Sequence, residues 1–304
     1  MALNAAFEMN FLKIIVFIVT HPIGKRRKLL ALNRLIRWQI VSRLSFGGSI
    51  VDWVNSTKFI AKSGEAGLTG NVYVGLHEFT DMMFLLHFLR PYDLFVDVGA
   101  NSGSYTLLAA SKKYFYVYSF EPDMAAYKRL TDNCKLNNYD SRINLFNVAV
   151  GEKSGNIKMT VDLDCMNYVL PDDCDTEKSQ LVKVDTLNNL LRDMKPSIIK
   201  IDVEGLELPV INGASDVLCN PHLKSVIMEL NGSCLKYGYN EQDIINLFSD
   251  YGFSRYLYEP FSRTLTSLGD GQIISGNTLF IRDVEAVKNR VVSAEKVSIL
   301  ELDI

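Results

Sequence analysis

The chain has 304 residues, 48% hydrophobic and 22% charged, with a formal net charge of −3, which is enough length and apolar content for a full-size core in one large domain with appendages or in two domains. Five cysteines stand at 134, 165, 174, 219 and 234. An odd count without a C-x-x-C pair argues against a disulfide framework or a zinc site, and free thiols fit a reducing cytoplasm.

The charge is unevenly spread. Residues 1–44 hold Lys13, Lys25, Arg26, Arg27, Lys28, Arg34, Arg37 and Arg43 against Glu8 alone, a net +7 that leaves the remaining body at −10. An acidic body argues against nucleic acid lying across it, while a basic end suits an anionic membrane or another acidic partner. The apolar run FLKIIVFIVT (11–20) is about half the length that a span needs. Most of the positive charge follows this run and no A-x-A site appears, so the pattern is not that of a secretory signal. Residues 25–44 predict a helix with Leu29, Leu32, Ile36 and Ile40 on one side and Arg27, Arg34, Arg37 and Trp38 toward the other. That apolar side either meets a membrane surface or docks on the protein's own core, so residues 11–44 are the candidate for peripheral membrane contact.

Residues 58–75 alternate short β-like runs with glycine turns and read as a hairpin. Residues 77–89 predict a helix that Arg90-Pro91 stops, because proline disfavours helix in the residue before it. Five apolar runs then alternate with helices: 94–99, 115–122, 143–150, 197–205 and 223–230. A polar, hairpin-like region separates the third run from the fourth, and FSRYLYEP with GNTLFIR forms a terminal antiparallel pair. Alternation of this kind predicts an α/β fold with a mostly parallel sheet covered by helices on both faces. The expected organisation is a basic helical extension over 1–57, a hairpin and helix over 58–93, the main domain over 94–283, and a tail over 284–304 with a peripheral helix and a loose end.

The first of these strands ends in FVDVGANSGSY (95–105). In an open α/β sheet, ligands bind outside the carboxyl ends of the strands, where the topology switches direction. Gly99 and Gly103 lack the Cβ atoms that would keep a ligand off the backbone, and the helix that follows offers free N–H groups. The second strand ends at Glu121 in the segment FEP, with Pro122 behind it, 24 residues after Asp97. That spacing suits a carboxylate that meets a ribose diol. The dinucleotide fingerprint G-x-G-x-x-G is absent, since Asn101 takes the second glycine's place. A cofactor without phosphates does not need that close approach, and S-adenosylmethionine is such a cofactor. Asp97 and Asn101 would face its amino acid end and Glu121 its ribose, although Asp97 also suits a helix N-cap.

The segments FVDVGANSGSYTLLAA, SFEPDMAAYKRLTDNCKLNN, VDTLNNLL, IIKIDVEGLELPVINGA, IMEL and NTLFI, in this order and spacing, resemble the FkbM family of S-adenosylmethionine-dependent methyltransferases over residues 76–283. The resemblance implies a class I, Rossmann-like methyltransferase fold, S-adenosylmethionine as cofactor, and O-methylation of a small molecule or sugar. The segments THPIGKRRKLLALNRLIRWQI and LTGNVYVGLHEFTDMMFLLHFLRPYD are similar to members from surface-polysaccharide gene clusters, which favours a sugar or lipid-linked glycan as acceptor.

In the fourth run, SIIKIDVEG, alternation puts Lys200, Asp202 and Glu204 on one face. Three ionisable groups on a central strand are costly unless they pair or work. One reading is a Lys200–Asp202 ion pair with Glu204 capping the next helix. The other is catalytic: methyl transfer is an in-line displacement in which the acceptor hydroxyl must be held and its proton removed. Asp202 is then the base or orienter, with Lys200 and Glu204 beside it, and Lys200 able to stabilise a developing alkoxide. Glu229, at the end of the fifth strand, and His77 in GLHEF are candidates for binding the acceptor. Asp202 and Glu204 could serve a divalent metal, but no full ligand set is visible.

The residues disfavour three rival readings. A base methyltransferase would carry an Asn/Asp-Pro-Pro-aromatic turn where DVEG stands, a nicotinamide oxidoreductase would carry the missing fingerprint, and a non-catalytic scaffold would not need Asp97, Glu121 and Asp202 together. The sequence therefore predicts a cytoplasmic O-methyltransferase that can sit at the inner face of a membrane; the oligomeric state and the acceptor itself, shaped by loops such as 160–180, are not legible.

Overall fold

A computed structural model of the chain describes residues 2–45, 47–62, 66–112, 115–139, 142–160, 169–170, 179–269 and 276–304. Three helices open it: α1 (Ala2–Thr20), α2 (Pro22–Arg26) and α3 (Lys28–Leu44). Pro22 stands at the start of α2, where its missing N–H costs nothing, and the His21 ring accepts the N–H of Ile23 there. Strands β1 (Ser49–Asp52) and β2 (Lys58–Ala61) then pair as an antiparallel hairpin, followed by α4 (Ala66–Val74) and α5 (Phe79–Phe88). The hairpin expected over 58–75 is thus displaced upstream, and residues 66–74 are helical. Gly70 lies inside that helix because a side chain there would strike His77, not because the chain turns.

The core follows: β3 (Leu94–Val98), α6 (Ser104–Ala110), β4 (Tyr116–Phe120), α7 (Met124–Leu136) and β5 (Ile143–Phe146). Four short strands come next, β6 (Ala149–Val150), β7 (Gly155–Thr160), β8 (Val169–Leu170) and β9 (Ser179–Asp185), and join in a separate sheet in the order β6-β9-β7-β8. The chain returns to the core through α8 (Leu187–Leu191), β10 (Ile198–Ile201), α9 (Glu207–Asn212), α10 (Ser215–Cys219), β11 (Ser225–Leu230) and α11 (Glu241–Asp250). It ends in β12 (Ser254–Glu259), β13 (Thr264–Ser267), β14 (Gly276–Ile281), α12 (Val284–Val292), β15 (Ser298–Ile299) and β16 (Leu302–Asp303).

The main sheet has eight strands in the order β13-β12-β14-β11-β10-β3-β4-β5. Neighbours from β11 to β5 are parallel, while β14 runs antiparallel to both β11 and β12. This is the α/β, mostly parallel sheet with an antiparallel C-terminal strand that the alternating runs predict. Every residue of β3 is buried, as a strand covered on both faces requires. One apolar cluster covers one face of the sheet with α5, α6 and the N-terminal helices; a second covers the other face with α8 to α11.

Three expectations need correction. The fourth run holds only four residues in strand, so Asp202 and Glu204 stand beyond its end and not on a shared strand face. Of the two alternatives for the apolar side of 25–44, docking on the core is overturned: α3 buries Ala31, Leu35 and Trp38 instead, and Leu29, Ile36 and Ile40 are exposed. The tail is not loose, because β15 and β16 close a small hairpin and the terminal Ile304 is buried beside Val297.

Candidate active site

The parallel order reverses at β3: the chain goes out through β4 and β5 on one side and returns through β10 and β11 on the other. A crevice must open at the carboxyl end of β3, where neighbouring connections part to opposite sides. A cavity of about 300 Å³ lies there. Its lining includes Asp97, Gly99, Asn101, Glu121 and Pro122 from one side and Lys200, Asp202 and Glu204 from the other. His77 and Glu78 reach it from the turn before α5, and Ile157, Met159 and Val169 from the small sheet. Of the sequence-predicted residues, Gly103 and Glu229 are not part of this lining; Glu229 lies beside Asp202 and Glu204.

The turn after β3 is built by contacts within the protein. Gly99 has φ +81°, and a Cβ there would lie 1.8 Å from the Asp202 carbonyl oxygen. Gly103 has φ +94°, and a Cβ there would meet Leu130 at 2.5 Å. The glycines are therefore required by neighbouring chain, where the sequence suggested an approaching ligand. Asp97 does not cap α6, whose N-cap position is Gly103. Its carboxylate accepts the Thr106 hydroxyl at 2.6 Å, and Thr106 is linked in turn to Ser119 at 2.7 Å. Burial pushes the Asp97 carboxyl up to about 6 against the opposing effects of Thr106 and Lys200.

Glu121 is buried at the end of β4 and accepts two backbone N–H groups, Asn101 on Oε2 and Asp123 on Oε1, each at 2.8 Å. A carboxylate has about four acceptor positions, so one on each oxygen is left for a ligand diol. Burial raises its pKa to about 7 despite these two bonds. Asn101, at φ +48°, orients this turn by accepting the Ser102 hydroxyl on its side chain.

Across the cavity, Lys200 is buried and its Nζ lies 2.8 Å from Asp202 Oδ2 and 4.9 Å above the Tyr105 ring. Burial alone would lower the Lys200 pKa, but Asp202, Glu78 and Asp97 hold it charged and push it above its usual range. Burial likewise opposes ionisation of Asp202, but the Lys200 ammonium and hydrogen bonds from Glu229 and Lys200 outweigh it and keep this carboxyl below its ordinary value. The carboxylates beside it go the other way. Burial and the charge of Asp202 push Glu204 up to about 7 and Glu229 up to about 8. Ligand atoms of Asp202, Glu204 and Glu229 lie within 4.8 Å of one another. Of Asp202 and Glu229, Glu229 thus holds its proton more tightly, while Asp202 is kept ionised by the Lys200 ammonium at 2.8 Å.

Glu204 does not cap the next helix. The N-cap position of α9 is Leu206, without a side-chain cap, and Glu207 instead holds the turn before it, accepting Gly205 N–H at 3.0 Å and Val203 N–H at 3.4 Å. Glu204 itself is held at φ +55°, a strained position that turns its carboxyl toward the cluster. Sequence reading also missed Glu78, Asp81, Tyr105 and Tyr237. Burial and the charge of Glu78 push Asp81 up to about 7. The signal for Glu78 was adjacent to His77, but the side of α5 that faces the cavity depends on how that helix packs. Tyr237 donates no sequence signal of its own; its hydroxyl accepts the Val169 N–H at 3.2 Å and ties the small sheet to the turn after β11. The acceptor loop over 160–180 lies largely outside the described residues, as do Cys165 and Cys174.

Residues 97–255 match the Methyltransferase FkbM domain. A relative, the hexuronic acid methyltransferase AglP of Haloferax volcanii, is 27% identical over 169 residues, which cover 55% of this chain and 65% of the relative. The chain thus spans less than two thirds of that relative's length. Among solved structures, the methyltransferase FkbM of Methylobacillus flagellatus KT aligns over 70% of this chain and 52% of its own, with 19% identity and a TM-score of 0.43. A Streptococcus mutans protein solved in complex with SAH aligns over 66% of this chain and 94% of its own, with 11% identity and a TM-score of 0.39.

Proposed function

The chain belongs to the FkbM methyltransferase family, and from that premise we propose that it is an S-adenosylmethionine-dependent O-methyltransferase acting on a hydroxyl of a sugar or lipid-linked glycan. The observation that carries the reading is one cavity with a nucleotide-type cradle, Asp97 to Asn101 with Glu121, on one wall and the Lys200–Asp202 pair with Glu204 on the other. The hexuronic acid named for the relative supports a sugar as the acceptor class.

Bound S-adenosylmethionine supplies the methyl group on its sulfonium. The free acceptor positions of Glu121 would take the ribose diol, and Asp97 and Asn101 the amino acid end, with Gly99 and Pro122 as the cradle's walls. Asp202 would accept the acceptor hydroxyl's hydrogen bond and then its proton. A carboxylate held below its usual pKa still suffices, because the hydroxyl turns strongly acidic as its oxygen gains the methyl carbon. Lys200, 2.8 Å from Asp202, would fix its rotamer, with Glu229 beside it, and so place the acceptor oxygen in line. Glu204 and His77 would bind neighbouring hydroxyls at the rim. Asp202, Glu204 and Glu229 carry the oxygen donors that a hard divalent cation takes, in competition with Lys200 for Asp202.

The test is calorimetric titration with S-adenosylmethionine, with and without magnesium, and with NADH as control. Micromolar binding without an NADH response is expected, and Glu121→Ala should weaken it by roughly tenfold to a hundredfold, the scale of a charged hydrogen-bond acceptor. Asp202→Asn should leave that binding within about twofold while lowering methyl transfer to an acceptor sugar roughly a hundredfold or more. A folded protein that binds no S-adenosylmethionine under either condition would sink the reading.

A further inference from the structure

No helix among the described residues is long and apolar enough to cross a membrane. The outward side of α3 is nevertheless strongly apolar. Leu29 is 86% exposed, Ile36 57%, Ile40 56% and Leu44 74%. Their spacing of seven, four and four residues puts them in one stripe along a helix of 17 residues, about 25 Å long. Lys28 and Arg43 edge the stripe on one side and Arg37 on the other, all exposed. The inward side is fixed independently: Ala31, Leu35 and Trp38 are buried, and Arg34 Nε donates to the Val72 carbonyl of α4 at 2.6 Å. The stripe cannot turn inward without uncovering those residues.

We propose that this outward face of α3 is a docking surface for an anionic lipid bilayer. Charge decides the occupant. The exposed charges that edge this face, Lys28, Arg37 and Arg43, are all basic and α3 holds no acidic residue, so two copies of this face would oppose like charges. Anionic headgroups complement the basic edges, and the stems of Lys28, Arg37 and Arg43 are long enough to reach them while the aliphatic stripe enters the acyl boundary. The layer that bears the stripe is attached to the rim of the cavity. His21 Nε2 lies 3.3 Å from the His77 carbonyl, and the Phe17 ring lies 5.4 Å from that of His77. Docking through α3 therefore holds the cavity at a fixed position beside the bilayer. This inference stands whether or not the protein transfers methyl groups.

The test is co-sedimentation of the full chain with vesicles of phosphatidylcholine mixed with phosphatidylglycerol, beside vesicles of phosphatidylcholine alone. Binding to the mixed vesicles that weakens as salt is raised is expected. The double variant Ile36→Ser, Ile40→Ser should bind at least about tenfold more weakly, since it removes half the stripe. The double variant Lys28→Gln, Arg37→Gln should lose roughly 25-fold on the mixed vesicles, about fivefold for each basic group. Leu257→Ser, at an exposed apolar residue of β12, is the control and should bind as the parent does. Unaltered melting curves check that all variants fold. Absence of vesicle binding by the parent, binding that survives the α3 variants, or an equal loss in the Leu257→Ser control would each overturn the proposal. So would a dimer in solution that Ile36→Ser, Ile40→Ser splits while vesicles bind neither form.

Discussion

Asp202, Glu204 and Glu229 crowd together beside the cavity, yet of the three only Asp202 is held below its ordinary pKa. Lys200 explains the difference: its ammonium touches Asp202, and among the described residues no ion pair reaches the other two. Glu229, raised from 4.5 to about 8 by burial and by the charge of Asp202, binds its proton more tightly in the folded protein than in the unfolded chain. Stability from this group is therefore fully present below about 4.5 and lost as pH rises through about 8. Glu229→Gln keeps the shape of the protonated acid and removes its titration. The variant should match the parent in thermal melts near the acid end of that window and melt about 1–3 °C higher above it, a small difference because Glu229 is partly exposed. A gap of the same size at both ends would mean that Glu229 does not titrate as its surroundings require. At this scale the sequence is only half legible. Asp97, Glu121, Lys200 and Asp202 announce themselves as charges among apolar residues. Gly99 announces only that a Cβ is unwelcome, and nothing local reveals that the Asp202 carbonyl is what excludes it.

Helix α3 shows what element-level pattern can and cannot carry. Its residues have apolar side chains on almost every side, so periodicity supports more than one buried face. The choice falls to α4, α1 and α2, the helices that pack on α3, while Trp38, Leu35 and Ala31 join the core cluster. Trp38→Ala should therefore cost about 3–5 kcal/mol, the scale of a large buried side chain, while Leu29→Ala stays within about 0.5 kcal/mol. Denaturant unfolding of the two variants measures both, and the reverse ranking would mean that the Leu29 side is the one that docks on the core. The strands of the main sheet were legible for the opposite reason. A strand buried on both faces is a short apolar run with one possible identity, and helices of ordinary length separate it from the next. The weak points were boundaries: the fourth run loses its strand geometry at Asp202, where Glu207 gathers the backbone N–H groups of a tight turn. The helix over 66–74 was hidden by Gly67 and Gly70, the second of which is there to admit the His77 ring.

At the scale of the whole molecule, the N-terminal helices share one apolar cluster with the sheet. Ile18, Ile23, Ala31, Leu35 and Trp38 belong to the same cluster as Phe95 of β3, Ile198 of β10 and Leu279 of β14. The C-terminus joins that cluster through Val297, Ile299 and Ile304. Polar ties follow the same lines: Arg27 donates to the Glu301 carbonyl at 2.7 Å, and the His87 ring lies between Tyr258 and the Ile304 carbonyl. An appendage would contribute its own small core and melt on its own, whereas a layer that buries its side chains among those of the sheet loses them when the sheet opens. Calorimetry of the parent should accordingly show one transition. Leu35→Ala should shift all of it to lower temperature at a cost of about 2–5 kcal/mol, because the cavity it leaves lies in the shared cluster. Two transitions, of which Leu35→Ala moves only the lower, would mean that the first 44 residues form a separate unit and that the cavity rim at His77 does not depend on them.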